Sequence, residues 1–285
     1  MLVRRHDDLA VFAELVTPLL HADPLRHNGI ITLLAAAQRP DPPWRIATMA
    51  TVHDEPGAEP MGAVLRTVER TVLVSALPVA AAGAVADVLA ETDPDVPGVV
   101  GPKENAEAFA AAWSARTGFT TRLDMALRLF VLDVLRPPDG VPGTWRVAGA
   151  ADVDHLARWR TAFFREALPA SWAQDDDPRP MVVRHLASGQ GNVLWELDGR
   201  PVSMAVASPP AAGMSRIGPV WTPPEHRGNG FGSAVTAACA RWALDAGAER
   251  VVLFTDLTNP TSNSIYRRIG FRAIGDHSEL AFERP

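Results

Sequence analysis

Hydrophobic and polar positions in the C-terminal half of the chain follow the periods of helices and strands. In residues 151–168 the apolar side chains recur at helical spacing, which predicts a helix. The apolar face of this helix consists of Val153, Leu156, Trp159 and Phe163. Residues 192–208 contain two strand-like runs joined by Asp198-Gly199, a typical turn sequence, and therefore predict a hairpin.

The other periodic segments complete an alternation of strands and helices. They predict a strand at 144–150, a helix at 179–189, a strand at 215–222, an alanine-rich helix at 231–247, a strand at 250–256, a short helix at 260–270 and a closing pair of strands at 271–283. The first half of the chain repeats this order weakly. A repeat on this scale indicates two copies of one fold.

The two halves are separated by a segment with the composition of a linker. Residues 136–144, RPPDGVPGT, combine prolines and glycines and have no apolar period. We therefore predict a first domain at 1–136, a linker at 137–144 and a second domain at 145–285. Each predicted domain falls near the common size of about 100 to 150 residues.

Composition restricts the classes of function. The chain has 285 residues, of which 47% are hydrophobic and 21% charged, as in a globular protein with a sizeable core. Its formal net charge is −6, so no global positive field attracts nucleic acid or an anionic membrane. The single cysteine, Cys239, cannot form an internal disulfide and is expected to be a small buried residue. No signal peptide, membrane span or metal-ligand spacing is found, so we expect a cytoplasmic protein without a metal.

A glycine-rich loop at residues 225–232, EHRGNGFG, precedes the alanine-rich helix. Glycines let the backbone close tightly around a ligand, and the N-terminal amides and dipole of the helix favour phosphate. The loop therefore predicts a pyrophosphate-binding site. It does not match the nucleotide motifs, because a Gly-Lys-Ser/Thr sequence is missing and Ser233 stands where a dinucleotide fingerprint has its third glycine. The corresponding loop of the first half, LPVAAAG, has no such cluster.

Two spaced motifs resemble the GNAT acetyltransferases. The first is Arg-x-x-Gly-x-Gly at 227–232. The second is NPTSNSIYRRIGF at 259–271, which is similar to the family's Asn-x-x-Ala-x-x-Leu-Tyr-x-x-x-Gly-Phe with Ser262 in the alanine position. The resemblance covers 145–285 in the order of elements. It implies an α/β fold with α+β character, in which two GNAT-like domains each have a twisted, mostly antiparallel sheet flanked by helices.

A splayed pair of strands is expected in the second domain. Gly218-Pro219 interrupts the predicted strand at 215–222, and proline cannot donate to a sheet ladder, so this strand should separate from a neighbour. By resemblance, the wedge would hold the pantetheine arm of acetyl-CoA, with an amide near Val220 to Thr222 polarising the thioester carbonyl. The expected cofactor-binding residues are Val220, Trp221, Thr222, Arg227, Gly228, Asn229, Gly230, Phe231, Gly232, Ser233, Asn259 and Ser262.

Tyr266 is the only tyrosine of the chain and occupies the general-acid position of the GNAT motif. An acid beside the sulfur would protonate the departing thiolate. The alternative is a packing role in which the hydroxyl is satisfied by backbone. Asn263 and Arg267 are expected either to border the CoA or to form a solvated helix face.

The general base has no clear candidate in the sequence. The strand before the loop, MSRIGPVWT, lacks the carboxylate that many GNAT enzymes place there. Asp256, Glu166 and Glu196 are weak candidates, and a water relay or a backbone carbonyl would also serve.

The resemblance implies an N-acetyltransferase that moves an acetyl group from acetyl-CoA to an amine by direct attack in a ternary complex. The acceptor would be a small molecule or peptide, with no nucleic acid or membrane partner, and a homodimer is a possible assembly. One alternative is a non-catalytic acyl-CoA sensor or scaffold. Another is a tandem transferase acting on a sugar-linked amine, as mycothiol synthase does. The first domain would then shape the acceptor site or the assembly.

Overall fold

The structure is a computed structural model that describes residues 1–40, 42, 44–167 and 177–284. The chain forms two compact units. The first unit consists of Met1–Leu127 together with the chain from Gly275 onward, and the second consists of Arg128–Ile274. None of the helices in the described part combines the length and the hydropathy that a membrane span requires.

The first unit is a sheet flanked by four helices. Its strands are β1 (Leu2–Arg5), β2 (Ile46–His53), β3 (Gly62–Thr67), β4 (Val72–Ala76), β5 (Gly98–Pro102) and the first part of β6 (Thr120–Leu132). Its helices are α1 (Leu9–Ala22), α2 (Asn28–Ala37), α3 (Ala82–Thr92) and α4 (Lys103–Thr117). The pairs β1–β2, β2–β3 and β3–β4 are antiparallel, whereas β4 and β5 run parallel.

The second unit has the same order of elements as the first. Its strands are β7 (Thr144–Val147), β8 (Gly191–Leu197), β9 (Arg200–Ala207), β10 (Met214–Trp221), β11 (Arg250–Asp256) and the first part of β12 (Phe271–Glu283). Its helices are α5 (Val153–Ala167), α6 (Arg179–Ala187), α7 (Phe231–Asp245) and α8 (Pro260–Arg268). The pairs β7–β8, β8–β9 and β9–β10 are antiparallel, and β10–β11 is parallel. Two copies of one mixed α/β fold, each mostly antiparallel, are therefore confirmed.

The long strands β6 and β12 depart from the sequence-based expectation. The predicted closing pair of strands at 271–283 is wrong, since these residues form the single strand β12. Its C-terminal part, from His277 to Ala281, pairs antiparallel with β5 and so completes the sheet of the first unit. In the same way, Phe130 of β6 belongs to the core of the second unit. The boundary at 127/128 consequently differs from the predicted linker at 137–144, which lies inside the second unit.

The sheet of the second unit has two differently covered faces. Val193, Ala205 and Ile217 lie on the face that packs against α7, whose alanines and Cys239 are buried there. Leu194 and Met204, one position along the same strands, lie on the opposite face beneath α5 and α6. Because side chains alternate across a strand, a single sheet supplies both cores.

The predicted apolar face of α5 packs into a core of the second unit, since Val153, Trp159 and Phe163 contact the buried cluster that contains Leu156. The buried residues of the helix include Leu156 and Arg160, whereas Trp159 and Phe163 are half-buried. Leu156 and Arg160, one turn apart, therefore both point into the unit. An arginine in this position was not expected from the periodicity.

Candidate active site

The central parallel pair of the second unit opens into a wedge. Pairing of β10 with β11 runs from Met214/Arg250 to Ile217/Leu253, and no register is formed beyond these positions although both strands continue. On its other side β10 stays paired with β9, where the register shifts between Ile217 and Val220 across Gly218-Pro219. The predicted splayed pair is therefore confirmed. Beyond Ile217 the edge of β10 that faces β11 has free backbone groups for a ligand.

The glycine-rich loop follows directly after β10 and ends in the first turn of α7. Gly228 has φ +82° and Gly230 has φ +81°, values that side-chain-bearing residues rarely adopt. Gly230 is the N-cap of α7 and contributes no side-chain acceptor, so the amides of the first turn, at Phe231, Gly232 and Ser233, keep their donors for another partner. This arrangement is suited to a phosphate group.

Arg227 is held by the protein and does not project freely from the loop. Its Nε donates to the carbonyl oxygen of Thr222 at 2.9 Å, and its Nη2 lies 2.7 Å from a carboxylate oxygen of Glu166. The guanidinium carbon also lies 4.9 Å from the ring centroid of Trp221. These contacts fix the loop against the end of β10, which gives Arg227 an orienting role in this structure.

Asn229 and Thr222 of the predicted set, together with Ser203 of β9, stabilise the loop and the end of β10. The Nδ2 of Asn229 donates to the carbonyl oxygens of His226 and Arg227 at 3.2 and 3.1 Å. The hydroxyls of Ser203 and Thr222 lie 2.8 Å apart, and that of Ser203 also donates to the Trp221 carbonyl oxygen at 3.0 Å. The Trp221 carbonyl oxygen is thereby bound from β9, whereas β11 forms no register with this part of β10.

The second motif forms the start of α8, next to the end of β11. Asn259 is the N-cap, and its side chain accepts a hydrogen bond from the amide of Ser262 at 3.0 Å. The Nδ2 of Asn263 donates to the carbonyl oxygens of Asp256 and Asn259 at 2.9 and 2.7 Å, which fastens the helix to the strand. Asn263 is buried, so its predicted place on a solvated face is wrong. These bonds place α8 at the mouth of the wedge.

Tyr266 lies inside this arrangement, with 7% of its surface exposed. Its ring packs edge-to-face against Phe130 and Phe271, and it shares an apolar cluster with Val220 of β10. Burial raises the pKa of the phenol to about 12, an effect opposed in part by a hydrogen bond with Ser262. At neutral pH the hydroxyl therefore carries its proton, as a general acid must.

The three candidate carboxylates are all engaged in other contacts. Glu166 pairs with Arg227, and Glu196 accepts a hydrogen bond from the Nε of Arg146 at 2.8 Å. Asp256 accepts from the amide and the hydroxyl of Thr258 at 2.7 and 2.8 Å. Among the described residues, no group of three or more His, Cys, Asp or Glu side chains is placed to hold a metal ion.

Sequence reasoning missed two arginines on the face of the sheet opposite α7. Arg160 of α5 is 3% exposed, and Arg184 of α6 is half-buried. The Nε atom of each is buried and has no hydrogen-bond partner. The sequence could have indicated the burial of Arg160, because this residue lies four positions after Leu156 and therefore on the same face of the helix.

The second unit combines a splayed strand pair with a glycine-rich turn whose helix start has no side-chain cap, an arrangement suited to a phosphate-bearing ligand. Residues 153–271 match the profile described as the acetyltransferase (GNAT) family. This part of the chain therefore belongs to the GNAT family, as its two motifs indicated.

Relatives of the chain include proteins named mycothiol acetyltransferase. The one from Arthrobacter sp. (strain FB24) is 41% identical over 177 residues, which cover 57% of this chain and 53% of that protein. The one from Tsukamurella paurometabola is 27% identical over 188 residues, which cover 60% of this chain and 63% of that protein. The chain thus spans about half the length of the Arthrobacter protein.

Among solved structures, a tandem GNAT protein from the clavulanic acid biosynthesis pathway matches with a TM-score of 0.60 at 13% identity, covering 99% of this chain and 98% of that one. At this identity the likeness shows the fold alone. It agrees with two GNAT-like copies in one chain.

Proposed function

We propose that the protein is an acetyl-CoA-dependent N-acetyltransferase whose active site is the wedge of the second unit. The observation that carries the proposal is the meeting of three features at one place. The parting of β10 from β11, the uncapped start of α7 and a buried, protonated tyrosine are all assembled around the end of β10. The GNAT match and the names of the relatives support the same reaction.

In the proposed complex, the donor substrate is acetyl-CoA. The amides of Phe231, Gly232 and Ser233 and the backbone of Gly228 to Gly230 would bind its pyrophosphate. A Cβ at Gly228 would meet open space and one at Gly232 would stand 3.4 Å from the Thr222 hydroxyl, so the turn leaves room for a ligand to approach its backbone. The unpaired edge of β10 after Ile217 would bind the pantetheine amides as an added strand does.

The proposed reaction is direct acyl transfer. The neutral amine attacks the thioester carbonyl carbon, a new C–N bond forms and the C–S bond breaks. The amide of Val220 would stabilise the developing oxyanion. The departing sulfur would take the proton of Tyr266 Oη, leaving CoA as the free thiol. The amine would release one proton to water, and water would return one proton to the Tyr266 phenolate, so that the enzyme is regenerated.

The proton of the amine has no dedicated acceptor among the three candidate carboxylates, because each is already bound. We propose that it leaves through water to solvent. The rate should then rise with pH as the fraction of neutral amine rises, with no loss on the alkaline side until the pKa of about 12 of Tyr266 is approached.

Two measurements test the proposal. Titration calorimetry with CoA should give a saturable heat, and thiol release from acetyl-CoA should increase with at least one amine of a broad panel. Binding of CoA without thiol release from any amine would favour the acyl-CoA sensor. No binding of CoA would overturn the assignment altogether.

The relatives favour one particular acceptor. Proteins named mycothiol acetyltransferase support the alternative of a sugar-linked amine. A panel that includes aminosugars and their conjugates decides between this acceptor and other small amines or peptides. The first unit would contribute to the acceptor site or to assembly, and a cytoplasmic location and homodimerisation remain predictions. Light scattering of the purified chain measures the oligomeric state.

A further inference from the structure

Arg160 is a buried cation that no carboxylate of the described residues pairs with. Its side chain is 3% exposed, and its only polar contact among the described residues joins Nη1 to the Sδ atom of Met181 at 3.8 Å. The Nε donor has no partner. Burial lowers the pKa of the guanidinium to about 10, with no carboxylate opposing the effect, so the group is still charged at neutral pH.

A second unsatisfied guanidinium comes from the helix that packs on α5. Arg184 lies one turn after Met181 on α6, so both residues share a face, and Met181 is the residue that Arg160 touches. The Nε of Arg184 is also buried without a partner. Each of the two helices therefore contributes one guanidinium with a buried, unpartnered Nε donor, and no carboxylate of the described residues pairs with either group.

Such an arrangement destabilises the folded protein unless a ligand completes it. A buried ionised group is strongly unfavourable without a partner, and each unmet donor adds a desolvation penalty. Most buried arginines are therefore paired. Guanidinium groups bind carboxylate and phosphate oxygens through two parallel hydrogen bonds, so an oxyanion is the ligand that fits this pair best.

Arg160 lies on α5, which packs on β10, the strand that carries the proposed reaction, whereas Arg184 lies on α6, which packs on α5 and β8. Leu156 and Ala157, which flank the same face of α5 as Arg160, share a core cluster with Trp221. Trp221 directly follows Val220, whose amide is proposed to stabilise the oxyanion. The α7 loop, where the CoA pyrophosphate is proposed to bind, already has its own donors in the backbone of the first turn.

We propose that Arg160 and Arg184 bind an oxyanion carried by the acceptor substrate, so that the enzyme selects amines bearing a carboxylate or a phosphate. This inference rests on the proposed function and narrows its substrate class. Arg160 is the primary contact, since it is the more deeply buried of the two, and Arg184 supplements it.

Matched acceptor pairs test the selectivity. Thiol release would be measured for glucosamine against glucosamine 6-phosphate, and for an amino acid against its amide. Wild-type protein should prefer the anionic member of one pair, and Arg160→Met should lower kcat/KM for that member by about 10- to 100-fold while changing the neutral member little. The two amines of a pair differ in basicity, but this difference affects wild type and variant equally. The change in the anionic-to-neutral ratio of kcat/KM between the two proteins therefore reports on Arg160. A preference within the glucosamine pair would identify phosphate as the bound group, and a preference within the amino acid pair would identify carboxylate.

The matched control is Arg158→Met, which removes an exposed arginine from the same helix. It should keep the wild-type preference. Arg160→Met should also raise the melting temperature of the free protein, because a buried unpaired charge is replaced by an apolar side chain of similar length. A purely structural role for Arg160 predicts the opposite sign.

A binding measurement separates this inference from the proposed function. If no amine releases thiol, the proposed function fails, and tryptophan fluorescence titrations with glucosamine 6-phosphate and with the amino acid still measure anion binding. Saturable binding that Arg160→Met abolishes and Arg158→Met retains supports the anion site. In an active enzyme, equal kcat/KM values for the anionic and the neutral acceptor would overturn the inference. If no amine is acetylated, the absence of saturable anion binding would overturn it. A melting temperature of Arg160→Met below that of the wild type would also overturn it.

Discussion

The two units build the connection after their central strand in opposite ways. In the second unit, β10 leads into a turn with two left-handed glycines, and Gly230 caps α7 without a side-chain acceptor. In the first unit, β4 leads into Leu77 and Pro78 and a single 3-10 turn at Val79–Ala81 before α3. Leu77 and Ala81 are buried, and the amide of Ala81 already donates to the Pro78 carbonyl oxygen at 2.9 Å. Side chains thus fill the start of α3, whereas α7 keeps its amides available.

The two parallel strand pairs, β4–β5 and β10–β11, also differ between the units. A Cβ at Gly101 of β5 would lie 2.8 Å from Val74 Cγ2 of β4, which shows how closely these strands approach each other. In the second unit, pairing of β10 with β11 ends at Ile217. In the first unit the register of β4 with β5 also ends before the strands do, at Leu73/Val100, so the close approach of Gly101 to Val74 is what distinguishes this pair from the wedge of the second unit.

The helix after the second parallel strand also differs. Aligned on Gly118-Phe119 and Gly270-Phe271, the position of Tyr266 is taken in the first unit by Ser114. Ser114 is half-buried and its hydroxyl lies 2.9 Å from that of Thr121. We therefore expect the CoA site and the general acid to belong to the second unit alone.

The largest expected effect is the loss of the phenol that only the second unit has. Tyr266→Phe should lower kcat of thiol release by about 100- to 10,000-fold, since general acid catalysis contributes on this order. The ring contacts with Phe130 and Phe271 are kept, so CoA binding should stay within twofold to threefold of wild type by calorimetry. An unchanged kcat would assign Tyr266 to packing alone.

The next effect concerns acid stability and belongs to the first unit. Burial and Arg26 lower the pKa of His277 to about 4, and burial also lowers the pKa values of His6 and His27. Between pH 6.5 and 4 the unfolded chain binds protons that the folded unit excludes, so stability falls as the pH falls through this window. For His277 alone the loss is about 3 kcal/mol.

Hydrogen exchange of β5 amides, against those of β8 in the second unit, measures this loss. At pH 4.5 the β5 amides should lose protection relative to pH 7 after correction for intrinsic rates. His277→Gln should flatten the dependence. In the second unit, burial lowers the pKa of His155, but this histidine is only half-buried. We therefore expect β8 to lose less protection than β5, and an equal loss in both strands would contradict the assignment to His277.

A glycine substitution compares the loop of the second unit with a matched position in the first. Gly228 and Gly118 have φ +82° and +78°, and a Cβ would meet open space at both. Each change to alanine introduces the same backbone strain of about 1 to 2 kcal/mol. Gly228→Ala should weaken CoA binding about 10-fold, whereas Gly118→Ala should leave it unchanged. Equal CoA affinities in the two variants would remove the loop from the donor site.

The smallest expected effect is at Cys239. The thiol is fully buried on α7, and burial raises its pKa well above the ordinary value. We expect no alkylation by iodoacetamide in the native state and no change of thiol release after exposure to it. Rapid alkylation at pH 8 would show that α7 opens, since a reactive cysteine needs an accessible thiolate.

The sequence determined the order of the elements, the repeat and the motifs, because these depend on local periods and on residues with special backbone preferences. Turn glycines, the interruption at Gly218-Pro219 and the helix cap at Asn259 act within a few residues of themselves, so their consequences could be predicted from the sequence alone. The family followed from the spacing of two such motifs.

The tertiary structure decided what depends on contacts distant in the chain. It showed that the end of β12 completes the sheet of the first unit, that Glu166 is bound by Arg227 and that Arg160 turns inward on α5. Helical spacing placed Trp159 and Phe163 on the packed face, where they are found, but it did not show that Arg160 is buried beside them, because burial depends on the surface on which a helix packs. Whether a charged side chain finds a partner is likewise a property of the assembled fold, because burial and the absence of a counter-ion arise only when separate segments come together.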